Sequence, residues 1–460
     1  MRPRNQAARE RLVPLLRRMR RASPLELADA LGVSAPSMHR MLAELPSNQM
    51  VFAGRTRRTC YALRRPLRGD LSDIPLYGID TAGNATLVSK LALTYPQGTL
   101  LALAESGWPV PPESRDGWWD GLPYPIYDMR PQGYLGRQIA RAEHRLLDVS
   151  EHPEEWSDDD VIFVLSRVGT DASGNLLLGD EAYQRWLQNK LSPPEPASEA
   201  ELGEHYSRLA QRALGAGVAG SSVAGEFPKF PALRQNGHST PHVLVKFSGA
   251  SQSAAERRWA DLLICEHFAL ECAAGLPGLG SARTRILQHD GRVFLEIERF
   301  DRVDLHGRRA VCTLDALNPA FLGDKSTDWT HLVTRLNEIG LIADDTVRAV
   351  EHLSWFGRLV GNTDMHLANL SFHVFSSSLH LAPTYDMLPM AYAPLAGGEV
   401  PPYDFTPPLP LPQQREIWQV ACKAALEFWR QASIDARISE AFRSLCAANA
   451  RRLGEISPRV

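Results

Sequence analysis

Long apolar runs are missing: no stretch of about 18 hydrophobic residues occurs, so no membrane-spanning helix and no membrane partner are expected. The N-terminus is rich in arginine and unlike a secretion signal, which points to the cytoplasm. Cysteine is sparse and scattered: Cys60, Cys265, Cys272, Cys312, Cys422 and Cys446 form no CxxC pair and are expected as reduced core or surface thiols. There are no internal repeats and no long low-complexity tract. What remains is an average globular composition, 44% hydrophobic and 22% charged. Its 460 residues suit two or three domains.

Lysine is also absent from residues 1–68, which hold fifteen arginines and four acidic residues, a net of +11. The rest of the chain carries −14. A basic terminal segment on an acidic body suggests a polyanion-binding module. The segment has helical patterning that a solvated tail lacks. Leu12, Leu15, Leu16 and Met19 share one face over residues 7–21. Ser23-Pro24 starts a short helix that Gly32 closes, and Ser34 caps a third helix, Ala35–Leu45. Two short helices around a glycine predict a helix-turn-helix, with Ser37, His39 and Arg40 on its outward face. Met50–Phe52 and Thr59–Leu63 predict a two-stranded wing with Arg55, Arg57 and Arg58 at its tip. Residues 1–68 are therefore read as a winged helix-turn-helix that binds double-stranded DNA, with a homodimer on that DNA as a candidate arrangement. A docking or dimerisation module is the alternative.

Residues 71–215 carry no recognisable chemistry. Strands are expected at Ile74–Val88 and Thr99–Ala104, an irregular loop at Trp108–Tyr127, a helix at Asp158–Gly169 and a linker at Ser192–Ser198.

The informative part follows. Gly220–Phe230 is a Gly-rich turn whose backbone N–H groups suit phosphates. His242–Phe247 alternates as a strand and carries Lys246, comparable to the phosphate-contacting lysine of kinases. Glu256 opens the next helix, Ala254–Ala273, where it is expected to pair with Lys246. Arg292–Glu298 reads as a strand leading to a hinge, Arg299–Arg302. Asp364 and Asn369 have the D-x-x-x-x-N spacing of a kinase catalytic loop, where the Asp orients a hydroxyl and the Asn holds Mg²⁺. Asp386 follows a hydrophobic hairpin, Leu370–Phe375 with Leu379–Ala382, at the place of a second metal-binding Asp, although no D-F-G is present. Each pair alone is commonplace, but the order of the six parts is not.

Ser222-Val223-Ala224-Gly225, Glu298–Arg302, Gly361 to Asn369 and Tyr385-Asp386 together resemble the motifs of HipA-type kinases, toxin components of bacterial toxin–antitoxin modules. The likeness covers residues 215–395 by motif and 71–460 by length. It implies an α+β, kinase-like two-lobed fold after the winged domain, with a mixed lobe over 71–305 and a helical lobe over 306–460. It implies Asp364 as catalytic base, and Asn369 and Asp386 as Mg²⁺ ligands. Ala224, Gly225, Lys229 and Lys246 would hold the ATP phosphates, with His366 beside them. Glu298 and Phe300 would take the adenine, Tyr385 would also contact ATP, and Ser222 would be autophosphorylated. The implied activity is ATP-dependent serine/threonine phosphorylation of a protein, with a translation component as the kind of target. Glu226-Phe227-Pro228 departs from the polar loop common in the family, and the built-in DNA-binding module departs from its usual separate antitoxin. Two readings compete: a small-molecule phosphotransferase, and a DNA-binding regulator whose idle kinase domain only senses nucleotide.

Overall fold

The computed structural model describes residues 3–215, 226–235, 237, 239–251 and 253–460. Ser222, Ala224 and Gly225 lie outside the described residues.

Three helices open the chain: α1 (Pro3–Arg18), α2 (Pro24–Leu31) and α3 (Ala35–Glu44). Their limits have local causes. Ser23 and Glu26 cap each other's backbone N–H reciprocally, and Pro24 takes the first helical position. Gly32 ends α2 at φ 65°, where a side chain would be strained. Ser34 accepts from the Ser37 N–H and starts α3. The first helix ends before the residue 21 its pattern suggested, because Ala22 is drawn into a backbone bridge with Tyr61. β1 (Met50–Ala53) and β2 (Cys60–Leu63) pair antiparallel around a short turn at Thr56–Arg58. Leu12, Leu16, Leu27, Met38, Met41 and Leu42 form a core of their own, each Leu or Met contributing roughly 1.5–3 kcal/mol by burial. Val51 and Ala62 of the hairpin pack on Ala92 and Trp118 of the body, while Arg65 pairs with Asp159 and Arg68 with Asp160.

β3 (Ile74–Ile79), β4 (Ala85–Thr94), β5 (Gly98–Leu100), β6 (Trp118–Trp119) and β7 (Leu176–Leu178) make an antiparallel sheet in the order β6-β5-β4-β3-β7. The helices of this region are α4 (Tyr124–Asp128), α5 (Gly133–Leu147), α6 (Asp158–Val168), α7 (Asp180–Leu191) and α8 (Leu202–Gly215). The stretch expected as an irregular loop thus holds an edge strand and most of α4. Trp118, Trp119 and Tyr124 are buried there, and the Trp119 ring N–H donates to the Leu101 carbonyl at 2.9 Å.

β8 (Lys229–Leu233), β9 (His242–Phe247), α9 (Ala254–Ala273), β10 (Thr284–His289) and β11 (Arg292–Glu298) form the unit that carries the phosphate-site candidates. Its antiparallel sheet runs β10-β11-β9-β8. β9, α9 and β11 have the limits their patterns predicted. Side chains alternate across the sheet. Val243, Val245, Phe247 and Phe294 pack on α8, whereas Leu295 and Ile297 join the main core with α9, the face that Lys246 also takes.

A small hairpin, β12 (Arg302–Val303) with β13 (Gly307–Arg308), leads to β14 (Val311–Thr313), α10 (Leu314–Leu317), α11 (Trp329–Glu338) and α12 (Asp344–Leu359). β15 (Ser371–Phe375) and β16 (Ser378–Leu381) complete a sheet with β14, and α13 (Arg415–Ile434) and α14 (Glu440–Ile456) end the chain. The Trp418–Trp429 stripe of α13 is core, as its spacing required. Among the described residues no helix is long and apolar enough to cross a membrane.

Candidate active site

Lys246 is the centre of the site. Its ammonium donates to both carboxylate oxygens of Glu266, at 2.7 and 2.8 Å, and to Asp386. Glu256 does not make this pair. It lies in the first turn of α9, where its N–H donates to Ser253, whereas β9 crosses α9 ten residues further on. At 1.5 Å per residue that offset is about 15 Å, beyond the reach of a lysine. Lys246 is 3% exposed and Glu266 fully buried. Burial outweighs the attraction of Lys246 and pushes Glu266 up to about 7. Burial would raise Asp386 too, but Lys246 and then Lys229 hold it below the usual carboxylate range. Lys246 stays above its ordinary value, because these carboxylates outweigh its own desolvation.

Lys229 stands opposite Lys246 in the β8–β9 register, on the same face. Its ammonium is 2.7 Å from Glu226, which also pairs with Arg137 at 3.0 Å. Phe227 packs edge-on against Trp259 with ring centres 4.6 Å apart. The Glu226-Phe227-Pro228 run is therefore fixed by ion pairs at Glu226 and by ring packing at Phe227.

The loop after α12 is held from within. The Asn362 side-chain oxygen accepts from the Asp364 N–H at 3.0 Å, and the Asn369 amide donates to the Asp364 carbonyl at 2.9 Å. The Trp329 ring N–H fixes the His366 carbonyl at 3.2 Å. Asp386 takes a left-handed φ of 53°, unusual outside glycine and a type of strain that clusters at functional sites. Its carbonyl accepts from Asn362 at 3.3 Å. Tyr385 donates to the Ala368 carbonyl at 2.6 Å, and its ring lies 5.5 Å from that of Phe300.

Two cavities meet at this loop. One, about 320 Å³, is lined by Lys246, Glu298, Phe300, Asn369, Tyr385 and Asp386. The other, about 760 Å³ and more open, is lined by Asp364, His366, Arg130 and Arg358. Gln132 and Ala368 border both. Of the ATP and catalytic residues proposed from sequence, Lys246, Glu298, Phe300, Asn369, Tyr385 and Asp386 share the smaller compartment and Asp364 and His366 the adjoining one, while Lys229 lines neither. Glu298 is also held by Arg234 at 3.0 Å. Three further residues of the Glu298–Arg302 string are ionic scaffolding: Arg299 and Arg302 clamp Asp301 and, from the loop before β7, Asp171, all at 2.6–2.9 Å.

Sequence reasoning missed Glu266, Asp128 and Asp171. Glu266 had one signal, a carboxylate on the buried face of an apolar helix. Asp128 lines the smaller cavity from the end of α4, where it accepts from the Thr313 N–H at 3.1 Å and from the Thr313 hydroxyl. Burial pushes it up to about 6 despite those bonds. A carboxyl raised in the folded state favours folding below its unfolded pKa and loses that contribution as pH climbs to about 6. Asp128→Asn should therefore match wild type near pH 4 and be more stable by roughly 2 kcal/mol near pH 8. Denaturant midpoints at both pH values check this. An equal difference at both would contradict it.

Of the N-terminal candidates, His39, Arg40, Arg55, Arg57 and Arg58 are exposed, and Ser37 is half-buried beneath the Ser34 cap. They lie on α3 and at the hairpin turn.

Residues 221–450 match the profile of the HipA-like C-terminal domain, and residues 70–187 that of the middle domain of YjjJ-like toxins. The chain belongs to the HipA-like toxin family. It is 34% identical over 451 residues to Toxin YjjJ of Escherichia coli (strain K12), covering 98% of each chain. It is 28% identical over 253 residues to Y4mE of Sinorhizobium fredii (strain NBRC 101917 / NGR234), 49% of this chain and 56% of that one. Among solved structures it is similar to HipA of Shewanella oneidensis MR-1, from a complex with HipB and its operator DNA. The TM-score is 0.51 at 16% identity, over 83% of this chain and 97% of the other, a likeness of fold.

Proposed function

We propose that the chain is an ATP- and Mg²⁺-dependent kinase acting on serine or threonine hydroxyls of a protein. One observation carries the reading: Lys246 bridges Glu266 and Asp386 at a cavity that adjoins the groove holding Asp364. The donor set fits the metal. Asn369 spends its amide N–H on Asp364 and keeps its oxygen, while Asp386 gives one oxygen to Lys246 and keeps the other. Two oxygen donors suit Mg²⁺, which completes its shell with water and phosphate. When bound, Mg²⁺ neutralises phosphate charge. Lys246 contacts phosphate oxygens, Phe300 and Tyr385 wall the base, and Asp364 takes the proton of the incoming hydroxyl. Arg358 and Arg130, the latter paired with Asp315 at 3.5 Å, line the open groove that would take the substrate. Ser222 is the proposed autophosphorylation site.

Titration with ATP tests the nucleotide half. Binding should require Mg²⁺ and weaken at least tenfold in Asp386→Asn. Binding unaffected by EDTA, or equal in the variant, would overturn it.

The N-terminal unit is read as a winged helix-turn-helix bound to double-stranded DNA. The HipA structure of similar fold was obtained with HipB and operator DNA. Here α3 and the hairpin turn offer arginines within the same chain. Replacing Arg55, Arg57 and Arg58 by Ala should weaken binding to all sequences and flatten the log–log salt slope, by about 0.9 for each phosphate no longer neutralised. Arg40→Ala should instead reduce discrimination between sequences. Fluorescence anisotropy of the whole chain at several salt concentrations checks both. DNA binding indifferent to salt would sink this half of the reading.

A further inference from the structure

Three arginines and two aspartates meet where β12 and β13 pair. Asp301 is 2.9 Å from Arg299 and 2.6 Å from Arg302, and Asp171 is 2.8 Å from each. Both carboxylates are committed to those two partners. The third arginine, Arg308, stands opposite Arg302 in the strand pair and makes no ion pair among the described residues. It is 6% exposed. Its Nη2 donates to the Thr170 carbonyl at 2.6 Å, and its Nη1 has no hydrogen-bond partner among the described residues. Burial and then the Arg302 charge pull this guanidinium down to about 9. Asp171 and Asp301 attract this guanidinium, but their oxygens are spent on Arg299 and Arg302, so a desolvated cation with an unpartnered Nη1 calls for an anion from outside the chain.

The space for that anion is present. Arg308 and Arg302 line a cavity of about 640 Å³ on the α7–α8 side of the molecule, which shares Asp171 with the smaller compartment above but none of the residues assigned to nucleotide. That volume lies in the usual range for small-molecule sites, roughly 300–1,000 Å³. Lys190 and Arg212 also line it. Neither forms an ion pair among the described residues: Lys190 donates to the Gly83 carbonyl and lies over the Trp186 ring, and Arg212 is exposed. Glu195 and the already paired Asp171 are the carboxylates in the wall, so cations prevail.

We propose that this cavity binds a small phosphorylated anion, which the unpartnered Nη1 of Arg308 meets from within while Lys190 and Arg212 meet it at the mouth. The inference stands apart from the transfer reading, since it uses none of the residues assigned to nucleotide or hydroxyl.

Inorganic pyrophosphate is the probe, titrated into the full chain in EDTA against sodium chloride of equal ionic strength. Wild type should bind it and unfold ~2–5 °C higher at saturation. Arg308→Met should fold as well as wild type without ligand, because it removes an unpaired buried charge, and should bind at least tenfold more weakly. If Arg308→Met does not fold, the surface variant Arg212→Ala with Lys190→Ala serves, with the same tenfold loss expected. No binding by wild type overturns the proposal. So does unchanged affinity in the variants, which would place the anion elsewhere. Neither nucleotide nor metal is present, so failure here is distinguishable from failure of the kinase reading.

Discussion

Lys246→Met is expected to destabilise the protein by about 3–5 kcal/mol near pH 8 and to abolish phosphoryl transfer. The substitution leaves Glu266, fully buried, without its ion-pair partner. Its carboxyl already sits at about 7 with Lys246 in place, and without that ammonium it moves higher. A carboxyl raised in this way is tolerated when protonated, so the loss should shrink towards pH 6 and grow towards pH 8. Adding Glu266→Gln removes the orphaned charge and should restore most of the stability while transfer stays absent. Urea unfolding at the two pH values separates these effects. A single variant as stable as wild type at pH 8 would show that the buried pair is not what the geometry indicates.

Asp364→Ala should lower phosphoryl transfer by about 10²–10⁴-fold and leave ATP affinity within about threefold of wild type. The asymmetry follows from the two compartments. Asp364 lines the open groove, whereas Lys246, Phe300, Asn369 and Asp386 line the smaller cavity. The carboxylate is exposed and its backbone is pinned by Asn362 and Asn369, so the truncation should not disturb folding. Parallel measurement of ATP binding and γ-phosphate release checks it. Transfer within about tenfold of wild type would remove Asp364 from the reaction.

What the sequence displayed was whatever is written locally. Ser23, Pro24, Gly32 and Ser34 announce two helices because caps act within four residues. Lys246 on an alternating strand, and Asp364 with Asn369 on one loop, are legible because one short segment sets their relation. Glu266 was not, because its pairing depends on where β9 crosses α9, a matter of packing. The expectation for Glu256 failed on that point. Asp128 and Asp171 were hidden for a similar reason: they reach the smaller cavity from α4 and the loop before β7, and nothing near them in sequence marks a site. The Trp108–Tyr127 stretch looked irregular by its Pro and Gly content. Burial of its aromatic rings nevertheless organises it into a strand and a helix.

The most direct measurement is the fate of the γ-phosphate. The purified chain is incubated with labelled Mg·ATP and protein extract, and the labelled amino acids are identified by mass spectrometry. Phosphoserine or phosphothreonine should form in step with ADP and vanish in EDTA. A chain that binds Mg·ATP yet labels no protein hydroxyl, or labels only small molecules, would contradict the kinase assignment.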